Sequence, residues 1–327
     1  MNRDELLARL KPEMVKIDET MAEDLADIVD PTLREIIHHG IFNGGKRVRP
    51  LLTLLAANLC GGEINRDAYR LSMSFEYLHA ASLLHDDVID HAEQRRGKPS
   101  ANTIWGNSDV ILAGDYLHTR AMTLAGTVGS PEILSVIGKA TTSMVEAEFL
   151  QAKTAQEIDR SVDNYFSVLA GKTGALISSP CETGALFAKA SDNQRQALYN
   201  YGMALGLAFQ VVDDLLDYQG DPAKTGKAVG NDFQEGKMTL PLLHALDQAD
   251  DAQRDQLLDL LAASPEKRQS EVATAHDIIE ANKGFAHARA KAETLVTEAC
   301  EALSCFPDND AKNMLLGLGQ YVLTRQK

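Results

Sequence analysis

Three aspartates lie close together in the sequence LLHDDVID, residues 83–90. Asp86, Asp87 and Asp90 take positions i, i+1 and i+4 of a predicted helix, so the first and the last lie one turn apart on one face. Like charges repel, and the helix macrodipole disfavours anions near a C-terminal end. A Mg²⁺ ion would remove both penalties, because it takes carboxylate oxygens as ligands. The alternative interpretation is a solvated acidic helix end.

A second sequence, FQVVDDLLD at residues 209–217, repeats this pattern with Asp213, Asp214 and Asp217. It also ends an apolar helical run, and two copies of one costly arrangement are hard to ascribe to chance. Mg²⁺ usually keeps several waters and joins one or two carboxylates to substrate phosphates. If the two helices pack side by side, we expect the motifs to hold a diphosphate through several Mg²⁺ ions.

A basic motif precedes the first Asp motif, in the sequence NGGKRVRP at residues 43–50. Its two glycines interrupt a helix and let the backbone approach a ligand closely. Lys46, Arg47 and Arg49 follow at the N-terminal end of the next predicted helix, where the dipole disfavours cations. A bound anion would resolve this conflict, whereas the alternative is a solvated basic turn. In a chain of net charge −15 we favour the anion site.

Single polar residues elsewhere are further candidates for phosphate binding. Arg95 and Arg96 follow the first Asp motif, and arginine can pair with phosphate through two hydrogen bonds. Lys172 and Thr173 lie in the sequence GKTG, which is not a P-loop because neither a strand nor the required glycine precedes it. Three lysines could close the long loop at residues 218–237 over an anion: Lys224, Lys227 and Lys237.

Helices must position all of these groups. The two Asp motifs end predicted helices at residues 66–91 and 192–218. Apolar residues at three- and four-residue spacing also predict an N-terminal amphipathic helix at residues 2–28. The sequence shows no alternating strand pattern. We therefore predict an all-α fold, a large helical bundle in one domain that covers residues 1–327.

Composition argues against several classes of protein. The net charge of −15 disfavours a nucleic-acid partner, because phosphate backbones attract Lys and Arg. The four cysteines show neither CxxC nor metal-ligand spacing, which indicates reduced thiols in a cytosolic protein. The charged N-terminus lacks an apolar signal segment, and no apolar run reaches the roughly 20 residues of a membrane span. We expect a soluble, cytoplasmic protein without a membrane span.

Seven short motifs follow one another between residues 44 and 241: GGKRVRP, HDDVID, RRGK, GKTG, FQVVDDLLD, TGK and EGK. Together they resemble the trans-isoprenyl diphosphate synthases, the polyprenyl synthetase family. The motif sequences are most similar to those of bacterial octaprenyl-type members. The resemblance implies the isoprenoid synthase fold, with mainly antiparallel helices around a central cavity, and a homodimer. It also implies a Mg²⁺-dependent prenyltransferase that joins isopentenyl diphosphate to an allylic diphosphate, farnesyl or geranyl diphosphate.

The resemblance further implies a role for each matching residue. Mg²⁺, expected as three ions per active site with substrate bound, would be held by the six motif aspartates: Asp86, Asp87, Asp90, Asp213, Asp214 and Asp217. The allylic diphosphate would be bound by Arg95, Lys172, Thr173, Gln210, Lys227 and Lys237. Isopentenyl diphosphate would be bound by Lys46, Arg49, His79 and Arg96, with its tail against Phe209. The catalytic residues would be Asp86, Asp87, Asp90, Lys172, Asp213, Asp214 and Lys227.

Small residues before the first Asp motif bear on the length of the product. In this family the first limit is set four and five residues before the motif, where this chain has Ser82 and Ala81. Leu78 and Phe75 lie deeper along the same helix. We expect a long-chain all-trans product, octaprenyl diphosphate, with geranylgeranyl diphosphate as the alternative. Residues that could close the cavity, although plain core packing is the stronger explanation for each, are Phe75, Met122, Met144 and Phe149.

Two other classes of protein share part of this pattern. Terpene cyclases also ionise a prenyl diphosphate with Mg²⁺, but their second motif is of an Asn/Ser/Glu type and they lack a second diphosphate site. A non-catalytic regulatory subunit of a heteromeric synthase tends to lose one Asp motif, and both are intact here. Consumption of isopentenyl diphosphate by the purified protein would distinguish an active synthase from both.

Overall fold

The computed structural model describes residues 2–95, 97–220 and 229–325, most of which are helical. In chain order, the α-helices of these residues are α1 Arg3–Asp24, α2 Pro31–Phe42, α3 Val48–Leu59, α4 Arg66–Ile89, α5 Ala101–Trp105, α6 Asn107–Val128, α7 Pro131–Gln156, α8 Val162–Leu169, α9 Ala175–Phe187, α10 Asp192–Gln219, α11 Asn231–Gln234, α12 Leu240–Gln248, α13 Asp251–Ala262, α14 Pro265–Ser270, α15 Val272–Ala281, α16 Gly284–Ala302 and α17 Asp310–Leu323. The predicted all-α fold is confirmed. The helices that carry the Asp motifs, α4 and α10, begin at the predicted residues, whereas α1 ends before its predicted end.

Side-chain caps explain where two of these helices begin. Asp30 accepts a hydrogen bond from the backbone N–H of Leu33 at 2.8 Å, and α2 opens on Pro31. Asn65 accepts from the backbone N–H of Ala68 at 3.1 Å and caps α4. Both caps satisfy N–H groups that the first turn of a helix leaves without a partner.

One pair of strands occurs in the described part of the chain, and the sequence pattern does not predict it. β1, Gln94–Arg95, pairs antiparallel with β2, Lys98–Pro99. Gly97 has a φ of +73°, in the left-handed region that favours glycine. Strands of two residues are too short to show alternation. The expectation of no strands is therefore wrong at this hairpin, which carries Arg95.

A π-helical turn, Ala170–Gly174, directly follows α8 and directly precedes α9. It contains the GKTG sequence, so Lys172 and Thr173 lie on an interrupted helix. Single π turns inside helices are frequent at functional sites. The sequence indicated two isolated phosphate-binding candidates here but not the helical interruption that presents them.

The chain folds into two compact units, each built from segments that are distant in sequence. Unit 1 comprises Met1–Thr141, Leu176–Gly202 and Leu303–Gly317; unit 2 comprises Thr142–Ala175, Met203–Ala302 and Leu318–Lys327. Unit 1 carries the basic motif and the first Asp motif, and unit 2 carries GKTG and the second Asp motif. The prediction that residues 1–327 form one domain stays a prediction.

The core of unit 1 contains α4 packed on α3 and α6. Tyr77 is fully buried, and its hydroxyl donates to Oδ2 of Asp24 at 3.0 Å. Arg120 donates to both oxygens of the same carboxylate. Because these residues come from α4, α1 and α6, the network joins three helices of the unit.

The core of unit 2 contains α12 packed on α15 and α16. A Cβ at Gly284 would lie 2.3 Å from the backbone oxygen of Pro241, so only glycine allows this close approach. Tyr218 of α10 is buried, and its hydroxyl lies 3.1 Å from Oγ1 of Thr239, the N-cap of α12. This contact fastens the start of α12 to the helix that carries the second Asp motif.

No helix among the described residues is long and apolar enough to cross a membrane.

Candidate active site

The first Asp motif lies at the C-terminal end of α4, as predicted, and its three carboxylates differ in exposure. Asp86 is half-buried, Asp90 is exposed, and Asp87 is only 2 % exposed. The Nε and Nη2 atoms of Arg95 both lie 2.7 Å from Oδ1 of Asp87. A charge-assisted pair of this kind offsets part of the cost of burying the carboxylate. Asp87 therefore has a countercharge from the protein itself.

Contacts with α5 and α6 hold the end of α4 in place. Nε2 of His85 lies 3.1 Å from the backbone oxygen of Ile111 in α6. Gly114 makes this approach possible, since a Cβ there would lie 2.2 Å from the same ring nitrogen. Nδ2 of Asn102, in α5, donates to the backbone oxygen of Asp87 at 3.0 Å. The position of the first motif thus depends on two neighbouring helices.

The hairpin that carries Arg95 is fastened to the C-terminal end of α2. Nδ2 of Asn43 donates to Nδ1 of His39 at 2.8 Å, and Oδ1 of Asn43 accepts from Nζ of Lys98 at 2.8 Å. The lysine fixes the orientation of the amide, so Nε2 of His39 carries the proton and donates to the backbone oxygen of Pro99 at 3.1 Å. We call these four residues the hairpin clip: His39, Asn43, Lys98 and Pro99.

The basic motif places its cations in different surroundings, which corrects the expectation that all three surround an anion. Arg47 has a φ of +49° and is only 4 % exposed. Its Nε donates to Asp18 at 2.6 Å and its Nη1 donates to Glu76 at 2.7 Å. Because Arg47 forms ion pairs with both carboxylates, it stabilises the loop from within the protein and does not face a substrate.

Arg49 has the properties of an anion-binding residue. Burial lowers its pKa to about 10, and Glu76 opposes the shift, so the guanidinium stays charged at neutral pH. Its Nε atom is buried and has no hydrogen-bond partner within the described residues. Buried donors are normally satisfied, so a phosphate oxygen is a suitable partner for this one. Of the other predicted residues in unit 1, Lys46 is exposed and His79 is half-buried.

The second Asp motif lies near the C-terminal end of α10, and its middle carboxylate is again the most buried. The side chain of Asp213 is 49 % exposed, Asp217 is half-buried, and Asp214 is only 4 % exposed. The hydroxyl of Tyr165 donates to Oδ2 of Asp214 at 2.8 Å. Nε2 of Gln210 donates to Oδ1 of Asp214 at 3.0 Å. Both donors are neutral side chains, and sequence reasoning missed the first.

These surroundings change the protonation of two aspartates. Burial raises the pKa of Asp214 to about 8; Asp232 adds to the rise, while Gln210 and Tyr165 oppose it. Burial, followed by Asp232, raises the pKa of Asp217 to about 6. Each shift means that the ionised carboxylate lacks sufficient positive charge from the protein alone. A divalent cation would supply that charge.

Asp232 is a further acidic residue of this region that sequence reasoning missed. Its backbone N–H donates to Oδ2 of Asp217 at 3.0 Å, and its Oδ1 accepts from Nζ of Lys237 at 3.1 Å. Burial acts to lower the pKa of Lys237, but Asp232 and Glu235 raise it above its ordinary value, so the lysine stays charged. The five-residue spacing in DFQEGK is the signal that could have linked Asp232 with Lys237.

A cavity of about 100 Å³ in unit 2 brings together five of the predicted site residues. Its lining includes Lys172, Thr173, Gln210, Asp214, Asp232 and Lys237. Oγ1 of Thr173 donates to Oε1 of Gln210 at 3.0 Å. Nζ of Lys172 lies 2.7 Å from Glu148 and 2.8 Å from Oε1 of Gln151, both in α7. A diphosphate that binds Lys172 must therefore compete with Glu148.

Arg325, near the end of the described residues, is another residue that sequence reasoning missed. Its guanidinium carbon lies 4.0 Å from the ring centroid of Phe209, and its Nη2 lies 3.4 Å from Oδ1 of Asp213. More than a hundred residues separate these partners in sequence, so no local pattern could reveal the contact. Phe209, predicted to face an isoprenoid tail, has one face covered by a cation.

The residues predicted to control product length lie on α4. Ala81, Leu78 and Phe75 are buried. Ser82 is half-buried, and its hydroxyl donates to a backbone oxygen of the preceding turn at 2.9 Å. Phe149 is 76 % exposed in the chain, which contradicts its prediction as a buried floor residue.

Two predicted substrate-binding residues, Arg96 and Lys227, lie outside the described residues, as does Lys224.

The aspartates fit Mg²⁺ ions that bind together with a phosphate-bearing substrate. In the part of the chain that the structure describes, no group of three or more His, Cys, Asp or Glu side chains could hold a metal ion. Each motif instead offers two carboxylates, one turn apart, that are more exposed than the middle one: Asp86 with Asp90, and Asp213 with Asp217. Mg²⁺ commonly takes one or two carboxylates and completes its shell with waters and substrate phosphates.

An all-helical fold that carries two such Asp motifs, each with basic side chains in its own unit, defines a class of enzymes that bind prenyl diphosphates. The chain belongs to the polyprenyl synthetase family, whose sequence model matches residues 30–279. It has the isoprenoid synthase fold and is a prenyltransferase, a trans-prenyl diphosphate synthase of isoprenoid biosynthesis. The family depends on Mg²⁺ in general.

Three similar proteins show the range within this family. The octaprenyl diphosphate synthase of Escherichia coli (strain K12) is 33 % identical over 322 residues, 95 % of this chain and 99 % of that protein. The short chain isoprenyl diphosphate synthase of Methanothermobacter thermautotrophicus is 35 % identical over 313 residues, 94 % of this chain and 95 % of that protein. The structure of polyprenyl synthase from Caulobacter crescentus CB15, complexed with calcium and isoprenyl diphosphate, is 32 % identical with a TM-score of 0.90, covering 99 % of this chain and 98 % of that one. Similarity alone therefore does not fix the product length.

Proposed function

We propose that this protein condenses isopentenyl diphosphate with farnesyl or geranyl diphosphate to build a long-chain all-trans polyprenyl diphosphate. The proposed product is octaprenyl diphosphate, of the kind used for quinone side chains. The observation that carries the proposal is the pair of small residues Ala81 and Ser82 on α4, next to the first Asp motif. Short-chain members of the family often have aromatic side chains at these positions.

The described cations proposed to bind the allylic diphosphate are Arg95, Lys172 and Lys237. Each is paired with a carboxylate of its own unit: Asp87, Glu148 and Asp232, respectively. Charged groups that are held in position before substrate binds stabilise developing negative charge without further reorganisation. Mg²⁺, held by the Asp motifs when substrate is bound, would neutralise part of the charge on the departing diphosphate. Lys227 is proposed for the same role by family resemblance.

The second diphosphate, that of isopentenyl diphosphate, is proposed to bind at the basic motif of unit 1. Arg49 offers a buried Nε that lacks a protein partner among the described residues, and Lys46 adds an exposed charge. Arg47 keeps the loop in shape through Glu76 and Asp18. His79 and Arg96 complete the proposed set by family resemblance.

The proposed reaction begins when the C–O bond of the allylic diphosphate breaks and leaves an allylic cation. The double bond of isopentenyl diphosphate attacks this cation and forms the new C–C bond. The hydroxyl of Thr173 and the side-chain oxygen of Gln210 line the cavity and are proposed to stabilise the cation. The new chain then loses a proton, and we propose that the released diphosphate accepts it. The chain is ready for another round with its diphosphate intact.

Leu78 and Phe75 decide between the long-chain product and its alternative. Both are buried on α4, and Phe75 lies eleven residues before Asp86, or about 16 Å at the rise of an α-helix. If one of them closes the path of the growing chain, the product is geranylgeranyl diphosphate. If neither does, elongation continues.

A homodimer is also proposed. Leu112 on α6 and Phe149 on α7 are large apolar side chains that are mostly exposed in the single chain. The family resemblance implies the dimer, and a contact with a second copy would cover exposed apolar side chains such as these. Sedimentation of the purified protein would give the mass of the assembly, and a monomer at all concentrations would contradict the proposal.

The test of the product is an incubation with Mg²⁺, labelled isopentenyl diphosphate and farnesyl or geranyl diphosphate. We expect a ladder of products that ends between C30 and C50 after the diphosphate is removed. A stop at C20 would leave the family and the chemistry in place but would show that α4 closes the path early. In that case Phe75→Ala should lengthen the product, whereas Phe306→Ala, at a buried phenylalanine outside α4, is the matched control.

The rival of another class is a non-catalytic regulatory subunit. It predicts no incorporation of isopentenyl diphosphate with any primer, even at high protein and Mg²⁺ concentrations. The intact Asp motifs and the charged pairs around them favour the active enzyme.

A further inference from the structure

Tyr165 contacts the second Asp motif but belongs to none of the sequence motifs. It lies in α8, is buried, and donates its hydroxyl hydrogen to Oδ2 of Asp214 at 2.8 Å. The hydroxyl therefore connects α8 with α10 at one buried point.

Among the described residues, the rest of the hydrogen bonding at Asp214 comes from α10 itself. Gln210, one turn earlier, donates to Oδ1 at 3.0 Å, and its own Oε1 accepts from Thr173 at 3.0 Å. Within the described residues, Tyr165 is thus the donor to this carboxylate that comes from another helix. Without the tyrosine hydroxyl, Asp214 would depend on a single neighbour from its own helix.

The two other aspartates of the motif are in a different situation. Asp213 has half of its side chain exposed, and Asp217 is half-buried. Asp214 is buried and each of its oxygens already accepts a hydrogen bond from the protein. A carboxylate held in this way is suited to fix the orientation of its helix, while its neighbours remain accessible to an incoming ion.

We propose that Tyr165 is a positioning residue for the second Asp motif: it holds Asp214 as an anchor, and thereby sets Asp213 and Asp217 for Mg²⁺ and the allylic diphosphate. The proposal deepens the proposed function and rests on it. Tyr165 does not touch the reacting atoms in this role. Its effect is on how tightly the motif binds metal with diphosphate.

The first experiment compares Tyr165→Phe with the unaltered protein. This change removes one hydroxyl and keeps the ring. We expect the Mg²⁺ concentration for half-maximal activity to rise roughly five- to tenfold, the cost of about one buried hydrogen bond. The KM for the allylic diphosphate should rise with it, whereas the KM for isopentenyl diphosphate should stay within twofold.

The matched control is Tyr77→Phe. Tyr77 is also fully buried, and its hydroxyl also donates to an aspartate, Asp24, at 3.0 Å, but away from either Asp motif. Both variants should lose some thermal stability. Only Tyr165→Phe should change the Mg²⁺ requirement, and equal Mg²⁺ curves for the two variants would overturn the proposal.

Direct binding separates this proposal from the proposed function. Electron paramagnetic resonance can follow the binding of Mn²⁺ in the presence of inorganic pyrophosphate, with no turnover required. We expect weaker Mn²⁺ binding for Tyr165→Phe than for Tyr77→Phe. A protein that never incorporates isopentenyl diphosphate would contradict the proposed function, and this measurement would still decide the role of Tyr165.

A second pair of variants tests the anchor if Tyr165→Phe does not fold. Asp214→Asn keeps an acceptor for Tyr165, while Asp213→Asn removes a charge from the exposed member of the motif. If Asp214 is an anchor, Asp213→Asn should weaken Mn²⁺–pyrophosphate binding more than Asp214→Asn does. An equal or larger loss for Asp214→Asn would show that Asp214 binds the metal directly, against the proposal.

Discussion

The two Asp motifs have the same residue spacing but different protein partners. Asp87 is neutralised by Arg95, whose Nε and Nη2 atoms both lie 2.7 Å from its Oδ1. Asp214 is hydrogen-bonded by the neutral groups of Tyr165 and Gln210. In each motif the middle carboxylate is buried while its neighbours are more exposed. Motifs of equal spacing therefore hold their middle carboxylates in two different ways.

The difference determines how much negative charge each motif carries before substrate binds. At the first motif an arginine supplies a full positive charge, which lowers the net charge that metal must compensate. At the second motif no cation among the described residues bonds directly to Asp214, and burial raises its pKa to about 8. The second motif should consequently depend more on pH and on metal than the first. Four predictions test this comparison.

The largest expected effect is that of Arg95→Gln. The change removes a proposed phosphate ligand and leaves the buried Asp87 without its countercharge. We expect kcat/KM for the allylic diphosphate to fall roughly 10²- to 10³-fold, the usual loss when one preorganised group that stabilises developing charge is removed. Steady-state kinetics would measure it, with Arg66→Gln, at an exposed arginine at the start of α4, as the control. A loss below fivefold would contradict the role of the pair.

The most specific test compares two substitutions that should shift the thermal midpoint in opposite directions. Asp87→Asn should lower the thermal midpoint of the metal-free protein at pH 8 by about 3–6 °C, because Arg95 loses a charged partner. Asp214→Asn should raise it by about 2–5 °C, because a buried carboxylate with a raised pKa becomes a neutral amide. The amide of Gln210 can turn to suit the new side chain, since the Thr173 hydroxyl both donates and accepts. Midpoints that move in the same direction would break the comparison.

The stability of the metal-free protein should also depend on pH through the second motif. Asp214 and Asp217 have folded-state pKa values raised to about 8 and about 6, above the 3.8 of an unperturbed aspartate. Between pH 4 and pH 8 the folded protein thus binds more protons than the unfolded chain, so this contribution to stability falls as pH rises. We expect a fall of a few degrees in the midpoint from pH 6 to pH 8.5 in a chelator. Asp214→Asn should flatten this slope, and an unchanged slope in that variant would contradict the raised pKa of Asp214.

Local sequence predicted the helices and the motif aspartates well, but it did not predict all the side chains that contact the buried aspartates. The long helices α4 and α10 follow from apolar periodicity, and Asp30 with Pro31 marks the start of α2. The aspartates of both motifs were found because repulsion at a helix end is visible in the sequence. Tyr165 was not, since the 49 residues that separate it from Asp214 carry no pattern that links them.

Two further features that the sequence did not predict have a common physical origin. The buried orientation of the Arg47 side chain depends on Glu76, which is 29 residues away in sequence and lies on α4. The hairpin at Arg95 has strands of two residues, too short for an alternating pattern. Contacts between segments that are distant in sequence determine both features. Tertiary packing of this kind produces no periodic pattern in a single sequence.

The smallest predicted effect concerns the hairpin clip, which has no counterpart in the described part of the chain at the second motif. Tyr165 and Gln210 both lie on helices, whereas Arg95 lies on a short hairpin fastened to α2. Asn43→Ala would remove the hydrogen bonds of Asn43 to His39 and Lys98. Arg95 keeps its pair with Asp87, so we expect the KM for the allylic diphosphate to rise only about two- to fivefold, with kcat nearly unchanged.

His38→Ala is the control for this variant, because His38 is an exposed neighbour on the same helix outside the clip. Hydrogen exchange of residues 92–95 should rise in Asn43→Ala and not in His38→Ala. An equal KM change in both variants would mean that α2, and not the clip, affects binding. If the clip acts as described, the first anchor is sensitive to a loop contact remote from its carboxylate, and the second anchor, built on helices alone, is not.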